Sequence, residues 1–285
     1  MEMTLLGTAA AEGWPGLFCK CNVCMETRRL RGRNLRTRSS AMIDNVLKID
    51  LPPDTLHHVM QYNLDLTQLR AVLFTHAHDD HLCATELQYV GPWFVTTPRL
   101  DKLHVYGPPE VKKRLECELN LQQVPIEIHV LAPFETVEVA GYLVTPVIAR
   151  HDPSQICYNY ILQSPDSSRI LYASDTGYYE EETWKFLEGF HFDAVVAECT
   201  NGPTTSDYTG HMGVTELLQM RRRLIDTGSI APDCLYVATH FSHQGGENHS
   251  GLEAIFTPES VVTAYDGITF AIPNKSKASS RLQYA

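Results

Sequence analysis

The segment Leu73–Leu82, LFTHAHDDHL, places three histidines and two aspartates within six consecutive positions directly behind a short apolar run. One or two polar side chains can cap a strand, but five in one short loop need another explanation. In extended backbone His76 and His78 point in the same direction, because side chains along a strand repeat with a period of two. If a helix begins near Asp80, then Asp80 and His81 project in a different direction. The loop can therefore serve two metal ions.

Further histidines and aspartates follow the ends of other apolar runs. His151 comes after Val144–Ile148, Asp175 lies in SDTG, and His240 begins HFSH after Leu235–Ala238. Loops at one end of a sheet are where a rigid scaffold commonly presents functional groups. Imidazoles and carboxylates suit Zn, Mn or Fe, and two such ions a few ångströms apart can clamp a phosphoryl or carbonyl centre. The pattern predicts two divalent ions in one active site.

The remaining hydrophobic pattern mixes two periods and indicates an α/β (or α+β) fold. We predict strands at Thr4–Leu6, Ala41–Ile49, Ala71–Phe74, Ile126–Val130, Val137–Ile148, Tyr158–Leu162, Ile170–Ala173, Ala194–Ala197 and Leu235–Ala238. We predict helices at Ala84–Tyr89, Pro109–Leu119, Glu180–Leu187 and Val214–Leu224. With no repeat and no Gly/Ser/Pro-rich linker, residues 1–285 are interpreted as one domain. The polar tail, about 274–285, is expected to be loosely ordered or used in a subunit contact.

Composition narrows the function classes. The 285-residue chain has a formal net charge of −11, which argues against wholesale binding to nucleic acid because a phosphate backbone would be repelled. Apolar runs such as AGYLVTPVIA are far shorter than the roughly 20 residues that span a bilayer. The N-terminus opens with an acid and lacks a basic region and a long apolar core, so no signal peptide is predicted. We expect a cytoplasmic protein without a membrane segment.

The pattern His76-x-His78-x-Asp80-His81, with the later strand-end ligands in the expected order, resembles the signature of the metallo-β-lactamase fold hydrolases. The resemblance implies an αββα four-layer sandwich. It also implies a distribution of the ligands: His76, His78 and His151 on one ion, Asp80, His81 and His240 on the other, and Asp175 bridging them. Asp79 falls outside this pattern, and we interpret it as a solvated carboxylate or one that orients a histidine. Asp50, which ends the strand VLKID, is expected to hydrogen-bond the first metal loop.

A second resemblance concerns the N-terminal Cys19-x-Cys21-x-x-Cys24, which is similar to the PhnP-type phosphodiesterases. In that group three cysteines and a distant histidine hold a structural zinc, and the matching histidine here is His243. Three thiolates and one imidazole make a closed tetrahedral zinc site that stabilises structure rather than performing chemistry. The other cysteines are interpreted as buried small apolar residues: Cys83, Cys117, Cys157, Cys199 and Cys234.

In the same phosphodiesterase branch a histidine just before a helix acts as general acid, and His211 in TGHMGVTELL occupies that place. Hydroxide attack on a phosphodiester expels an alkoxide, which leaves more readily when it is protonated. The resemblance implies a metal-dependent phosphodiesterase that cleaves a small, cyclic sugar or nucleotide phosphate, with His211 and Asp80 as catalytic residues. The arginine-rich segment RRLRGRNLRTR, residues 28–38, is interpreted either as a solvated helix face followed by a loop, which is favoured, or as a phosphate-collecting patch. In the second case Arg36 and Arg38 are the candidates to recognise a second phosphate of the substrate.

Several alternatives stay open at this point. A lactonase or thioesterase, or a tRNA 3′-processing endonuclease, shares the fold and the metal ligands. A non-catalytic carrier in cofactor biosynthesis is the other alternative, because proteins related to pyrroloquinoline quinone synthesis also carry a Cys-x-Cys-x-x-Cys element. The family resemblance also suggests a homodimer. His249 is the one remaining histidine kept as a candidate, since its glycine-rich loop follows a ligand segment.

Overall fold

Two seven-stranded mixed sheets pack face to face with helices on their outer sides, in the αββα arrangement of an α/β protein. The computed structural model describes residues 1–272. The predicted polar tail, residues 274–285, lies outside this range, and the single-domain interpretation stays a prediction. Among the described residues, no helix is both long enough and apolar enough to cross a membrane.

The strands are β1 (Glu2–Gly7), β2 (Ser40–Ile43), β3 (Leu47–Ile49), β4 (Ala71–Leu73), β5 (Leu103–Gly107), β6 (Ile126–Val130), β7 (Val137–Val139), β8 (Tyr142–Ile148), β9 (Tyr158–Gln163), β10 (Arg169–Ala173), β11 (Ala194–Glu198), β12 (Leu235–Thr239), β13 (Val262–Thr263) and β14 (Ile268–Ala271). The helices are α1 (Asn22–Leu30), α2 (Thr55–Tyr62), α3 (Ala84–Leu87), α4 (Pro109–Glu118), α5 (Glu181–Leu187), α6 (Val214–Asp226) and α7 (His249–Phe256). Short 3-10 helices occupy Gly32–Asn34, Leu66–Gln68, Gln88–Val90, His243–Gly245 and Thr257–Glu259.

The two sheets are built in the same way. In the first, β1 to β3 are antiparallel neighbours, and β3 to β6 are parallel. In the second, β8 to β10 are antiparallel and β10 to β13 are parallel. The late strand β14 extends the first sheet beside β1, and β7 extends the second beside β8. The carboxyl ends of the parallel strands in each sheet therefore share one edge, and the loops at those edges can converge on a site.

The core consists of three buried layers. Between the sheets, Ile49 and Leu73 of the first sheet belong to the same buried cluster as Tyr160 and Val196 of the second. The two outer layers lie under the helices, one on each sheet. Because apolar burial contributes about 25 cal/mol per Å², these layers fix the strands whose ends carry the site.

Helix α6 shows how the sequence specifies one of these elements. Leu217, Met220 and Leu224 form its buried face at helical spacing, as the pattern predicted. At its start the Gly213 backbone N–H donates to Glu216 Oε2 over 3.0 Å, which satisfies one of the free amides of the first turn. The predicted helix is confirmed, and the other three predicted helices correspond to α3, α4 and α5, with α3 closing in a 3-10 turn.

Two long predicted strands are in fact hairpins. The run Ala41–Ile49 turns at Asp44 and Asn45, and Val137–Ile148 turns at Ala140 before Gly141; all four turn residues have positive φ. In the first run the polar pair Asp44-Asn45 marks the turn and was overlooked, whereas in the second the turn residues Ala140 and Gly141 do not interrupt the apolar run. The prediction also missed α1, α2, α7, β5, β13 and β14.

Candidate metal centre

The predicted ligands converge at the shared carboxyl edge of the two sheets. The loop after β4 supplies His76, His78, Asp80 and His81, and the loops after β8, β10 and β12 supply the rest. Groups of three of these side chains place their ligand atoms within 4.8 Å of one another. We call the full set the histidine–aspartate cluster: His76, His78, Asp80, His81, His151, Asp175 and His240.

Three imidazoles form the first half of this cluster. His76 Nε2 lies 2.8 Å from His78 Nδ1, and His151 Nε2 lies 3.2 Å from the same atom. Burial holds the pKa of His76 well below its ordinary value, which keeps that imidazole neutral, the form that coordinates metals. The outer nitrogens are held by Thr75 Oγ1 at 2.9 Å for His76, Asp152 Oδ2 at 2.9 Å for His78 and the Gly210 carbonyl at 3.1 Å for His151.

Asp175 faces both halves of the cluster. Its Oδ2 lies 2.8 Å from His81 Nε2 and 3.0 Å from His240 Nε2, while its Oδ1 lies 3.8 Å from His151 Nε2. Asp80 Oδ2 lies 3.1 Å from the same His81 nitrogen. The two oxygens of the Asp175 carboxylate thus face different histidines, His81 and His240 on one side and His151 on the other.

The second half of the cluster is oriented from behind by a separate set of bonds. His81 Nδ1 lies 2.7 Å from Asp50 Oδ2, and His240 Nδ1 lies 2.8 Å from Thr200 Oγ1. Asp50 also accepts from the Thr75 backbone N–H over 2.8 Å, so the expected bond from Asp50 to the metal loop is confirmed. Such partners fix the ring orientation of a ligating histidine.

His211 lies at the rim of the cluster, 18% exposed, with Nδ1 2.6 Å from Glu198 Oε1. Burial opposes its protonation, but the charge and hydrogen bond of Glu198, with a further contribution from Asp175, raise the pKa of His211 to about 9. Glu198 is buried and also accepts backbone N–H bonds from Thr176, Thr200 and Met212, so its position is fixed. Because Nδ1 faces Glu198, Nε2 is the nitrogen available to a bound molecule.

An open cleft of about 630 Å³ lies over the cluster. Its floor consists of ligand side chains together with His211, and its walls come from the loop 10–12 after β1 and the loop 200–208 after β11. Gly177 permits the close approach of the second wall, because a Cβ there would lie 1.8 Å from the Thr209 carbonyl oxygen. The Tyr208 hydroxyl donates to the His151 carbonyl over 2.7 Å and anchors this loop beside the ligands.

A second group of ligand-type atoms lies in the N-terminal segment. We call Cys19, Cys21, Cys24 and His243 the cysteine cluster; their ligand atoms all lie within 4.8 Å of one another, and the cysteines are free thiols. The backbone N–H groups of Gly16 and Cys21 donate to the sulfurs of Cys24 and Cys19 at 3.3 and 3.4 Å. A Cβ at Gly16 would lie 2.6 Å from His243 Nε2, so glycine permits this approach.

A family model described as a beta-lactamase superfamily domain matches residues 43–240. The chain belongs to this superfamily. The match covers more than half of the chain and all seven members of the histidine–aspartate cluster.

Three relatives place the chain within the superfamily. It is 29% identical over 164 residues to Ribonuclease Z of Myxococcus xanthus (strain DK1622). The match covers 55% of this chain and 47% of that protein, so the chain spans about half the length of this curated relative. A new diphosphatase from the PhnP family superposes with a TM-score of 0.74 at 20% identity, over 95% of this chain and 97% of its own. Zn²⁺-bound PqqB from Methylobacterium extorquens superposes with a TM-score of 0.75 at 18% identity, over 95% and 100%. These structural likenesses show the shared fold.

The superfamily fold implies divalent metal ions, and the donors present here fit them. His81 Nε2 and His240 Nε2 are buried and have no hydrogen-bond partner among the described residues, although both face Asp175. Burial opposes protonation of His81, yet the carboxylates of Asp175, Asp80 and Asp50 raise its pKa. Three carboxylates buried this close together need cations to compensate their negative charge.

The cysteine cluster fits a zinc ion by the same test. Burial raises the pKa of the Cys24 thiol to about 12, so a thiolate at this position needs a bound cation. Sulfur and imidazole donors in a four-member set are typical of structural zinc.

Other predicted residues have different surroundings. Arg36 is buried, and its guanidinium donates to Thr8 Oγ1 and to the Ala264 carbonyl, which is a structural set of partners. Arg38 pairs with Asp54 at 3.1 Å and is partly exposed. These contacts hold both arginines against the protein and do not support the predicted contact with the substrate at the metal centre.

The structure also shows the surroundings of Asp79, His249 and the cysteines outside the cysteine cluster. Asp79 is exposed and pairs with Arg114, so it is a solvated carboxylate and does not orient a histidine. His249 is buried at the start of α7, with Nδ1 2.9 Å from Arg36 Nη2. Cys157 and Cys199 are buried as expected, whereas Cys83 and Cys234 are only partly buried and Cys117 is exposed on α4. The interpretation as buried residues was therefore wrong for Cys117 and only partly right for Cys83 and Cys234.

The prediction missed Glu198, Asp152 and Thr200, which orient His211, His78 and His240 respectively. Glu198 had a readable signal, because it ends the apolar run AVVAE as Asp50 ends VLKID. Asp152 follows His151 directly, but the partner of its carboxylate is 74 residues away and only the fold brings them together.

Proposed function

We propose that this protein is a metal-dependent hydrolase that cleaves a phosphodiester bond in a small sugar or nucleotide phosphate, including cyclic ones. The observation that carries the proposal is the His211–Glu198 pair beside the histidine–aspartate cluster, in which His211 lines the cleft and Glu198 is buried behind it. His211 can protonate an alkoxide expelled from phosphorus, and the ligands beside it suit two ions that would neutralise the phosphoryl oxygens.

The ligands for the two ions would be the two trios, joined by Asp175. When bound, the ions neutralise charge on the phosphoryl oxygens and supply an acidic water as the nucleophile. Zn, Mn and Fe all suit these donors. In this proposal Asp80 contributes to catalysis as a metal ligand.

The residues of the chain then handle the proton and the orientation. His211 donates its proton from Nε2 to the leaving oxygen, and Glu198 stabilises the protonated imidazole through Nδ1. Asp152 and Asp50 keep His78 and His81 in the orientation that ligation requires. The cysteine cluster would hold a structural zinc that fixes the N-terminal wall of the cleft, since His243 lies three residues beyond His240.

The test is hydrolysis of bis(p-nitrophenyl) phosphate beside a lactone and a nitrophenyl ester, after reconstitution with Mn or Zn. We expect the phosphodiester to be the preferred substrate. His211→Ala should lower kcat by about 10²- to 10⁴-fold for a diester that expels an alkoxide, such as a 2′,3′-cyclic nucleotide. The loss should be smaller for bis(p-nitrophenyl) phosphate, because nitrophenolate leaves without a proton.

The matched control is His191→Ala, because His191 is exposed, lies outside the cleft, and has its Nδ1 3.1 Å from the Gly228 carbonyl. This variant should retain wild-type turnover. Turnover of the lactone or ester alone, or full turnover of the alkoxide-expelling diester by His211→Ala, would contradict the proposal.

A second candidate is cleavage of an RNA phosphodiester, favoured by the 29% identity to a Ribonuclease Z. The same ligands and the same acid would serve this reaction. The net charge of −11 weighs against a long nucleic-acid interface. Cleavage of a precursor tRNA at a rate above that of bis(p-nitrophenyl) phosphate would favour the RNA substrate.

A further inference from the structure

A second cavity, of about 730 Å³, opens on the other side of the N-terminal loop from the metal cleft. We call it the arginine cavity, because its walls include four arginines of one short segment: Arg31, Arg33, Arg36 and Arg38. They face three lining carboxylates, in a chain whose net charge is −11. A local excess of cations in an acidic protein marks a site for an anion.

Arg36 is the buried cation of this cavity. It is 3% exposed, and among residues 1–272 it has no carboxylate within ion-pair distance and no partner for Nε. Burial lowers its pKa to about 10, although the charges of Asp266 and Glu253 act against this effect at longer range. A buried guanidinium without an ion pair is costly, so an anion in the cavity would compensate for its burial.

Arg31 and Arg33 supply the accessible donors. In the described part of the chain the Arg31 guanidinium makes no hydrogen bond or ion pair. The Arg31 backbone has φ 55° and ψ −147°, a region that favours glycine. Arg33 stacks over the Tyr265 ring at 4.3 Å and reaches Glu253 only at 3.6 Å. The strained backbone at Arg31 thus places a free guanidinium on the cavity wall.

We propose that the arginine cavity binds the phosphomonoester or diphosphate group of a small molecule. Guanidinium groups match phosphate geometry with paired N–H donors, which Arg31 and Arg33 can supply, while the buried Arg36 adds positive charge behind them. The aromatic rings of Tyr62 and Tyr265 line the same cavity and can contact an attached base or sugar. The proposal goes beyond the proposed function, because binding in this cavity requires no reaction at the metal centre.

The two cavities share a wall. Glu12 lines both, and Arg38 Nε donates to the carbonyl of Ala11, which lines the metal cleft, over 2.7 Å. The phosphate group can therefore belong to the substrate itself, reaching across the wall, or to a separate ligand. The chemistry of binding is the same in both cases, and the experiment separates them.

The test is calorimetric titration of 5′-AMP and of inorganic pyrophosphate into the full-length protein. The variant is Arg31→Gln/Arg33→Gln, whose side chains are exposed and whose loss should leave the fold intact, as circular dichroism would check. The control is Arg29→Gln/Arg222→Gln, which removes the same charge from exposed arginines outside the cavity. We expect Kd to rise at least tenfold in the cavity variant and less than twofold in the control.

A further arm repeats the titration in Asp175→Asn, which weakens phosphate binding at the metal centre. Binding that persists there and is lost on adding the cavity substitutions supports the proposal even if the protein is not a phosphodiesterase. Equal Kd values for wild type and cavity variant, or equal losses in variant and control, would overturn it. If an oligonucleotide binds in an arginine-dependent manner while 5′-AMP and pyrophosphate do not bind, a nucleic-acid backbone replaces the small molecule.

Kinetics then identify the source of the phosphate. If the cavity variant raises KM for a diester that carries a second phosphate but not for bis(p-nitrophenyl) phosphate, the substrate supplies the group. If both KM values stay unchanged while 5′-AMP binding is lost, the ligand is a separate molecule. Either result supports binding in the arginine cavity.

Discussion

The histidine–aspartate cluster and the cysteine cluster share the loop after β12 but are built in different ways. The first opens onto a cleft of about 630 Å³, whereas the second lies outside that cleft in the N-terminal segment, with Cys24 buried and Cys21 exposed. In the first, side chains and carbonyls hold the outer nitrogens of the histidines. In the second, backbone N–H groups donate to the sulfurs. The difference is the one that separates catalytic from structural metal sites.

The two clusters are also mechanically joined. His240 of the first and His243 of the second follow the same strand, and between them Phe241 exchanges backbone bonds with Thr8 and Ala10 at 2.9 and 3.0 Å. The N-terminal segment is thereby fixed both to the cysteine cluster and to the loop that carries a ligand. We infer that the cysteine cluster supports the histidine–aspartate cluster without taking part in its chemistry.

Replacing Asp175 with asparagine should give the largest loss of turnover. The amide keeps the shape of the side chain but removes the charge that faces both trios of ligands. A loss of about 4 kcal/mol in transition-state stabilisation corresponds to about 10³-fold in kcat/KM. The measurement is kcat/KM for bis(p-nitrophenyl) phosphate together with metal content by mass spectrometry. Asp166→Asn, in an exposed turn, is the control, and a drop of less than tenfold in Asp175→Asn would remove its bridging role.

Glu198→Gln should lower kcat about 10²-fold at neutral pH and change its pH dependence. His211 must be protonated to act as an acid, so turnover falls as pH rises through its pKa. The Glu198 carboxylate raises that pKa, and its removal lowers it. The loss at high pH should therefore begin at a lower pH in the variant, measured as kcat between pH 5.5 and 9.5. An equal loss at every pH would mean that Glu198 acts only through its backbone bonds to Thr176 and Thr200.

Asp50→Asn should act through His81 and so have a smaller effect. The carboxylate lies 2.7 Å from His81 Nδ1, and loss of such a partner typically lowers metal affinity 10- to 100-fold. At saturating metal we expect kcat within about fivefold of wild type. A metal titration of activity measures both quantities. Asp79→Asn is the control, because Asp79 lies on the same loop as His81 but is exposed. It should leave the metal titration curve unchanged, and an equal shift in both variants would contradict the role of Asp50.

The comparison also shows what the sequence could reveal. All seven members of the histidine–aspartate cluster and all four of the cysteine cluster were predicted, and the structure brings each set together. The sequence showed these residues because each either follows an apolar run or belongs to a short motif with regular spacing. Their assignment to individual ions rests on the family resemblance and stays a prediction.

The residues that support the ligands were harder to find. The position of Glu198 at the end of an apolar run was a readable signal, but the partners of Glu198 and Thr200 are fixed by sheet register and loop packing, which the local sequence does not show. Likewise, the buried state of Arg36 could not be read from a segment with six arginines, because it depends on contacts with Ala264 and His249, more than 200 residues away. Local patterns identify ligand-type residues, while their orientation depends on long-range contacts.

Cys24→Ser should give the smallest loss of turnover but the clearest loss of stability. Cys24 is fully buried in the cysteine cluster, and its replacement should release the zinc and lower Tm by roughly 5–10 °C, since about 1 kcal/mol shifts Tm by 2–4 °C in a domain of this size. Cys234→Ser, outside the cluster, is the control. At 25 °C, kcat should stay within about threefold of wild type, because the cysteine cluster does not line the cleft.

This variant decides how far the two clusters are independent. Zinc content, Tm and the metal dependence of activity are measured on the same preparation. If the zinc is lost and only the apparent affinity for the active-site metals falls, the cysteine cluster supports the loop of His240 through His243. If kcat falls as far as in Asp175→Asn, the separation between a structural and a catalytic site fails, and the cysteine cluster must be counted as part of the active site.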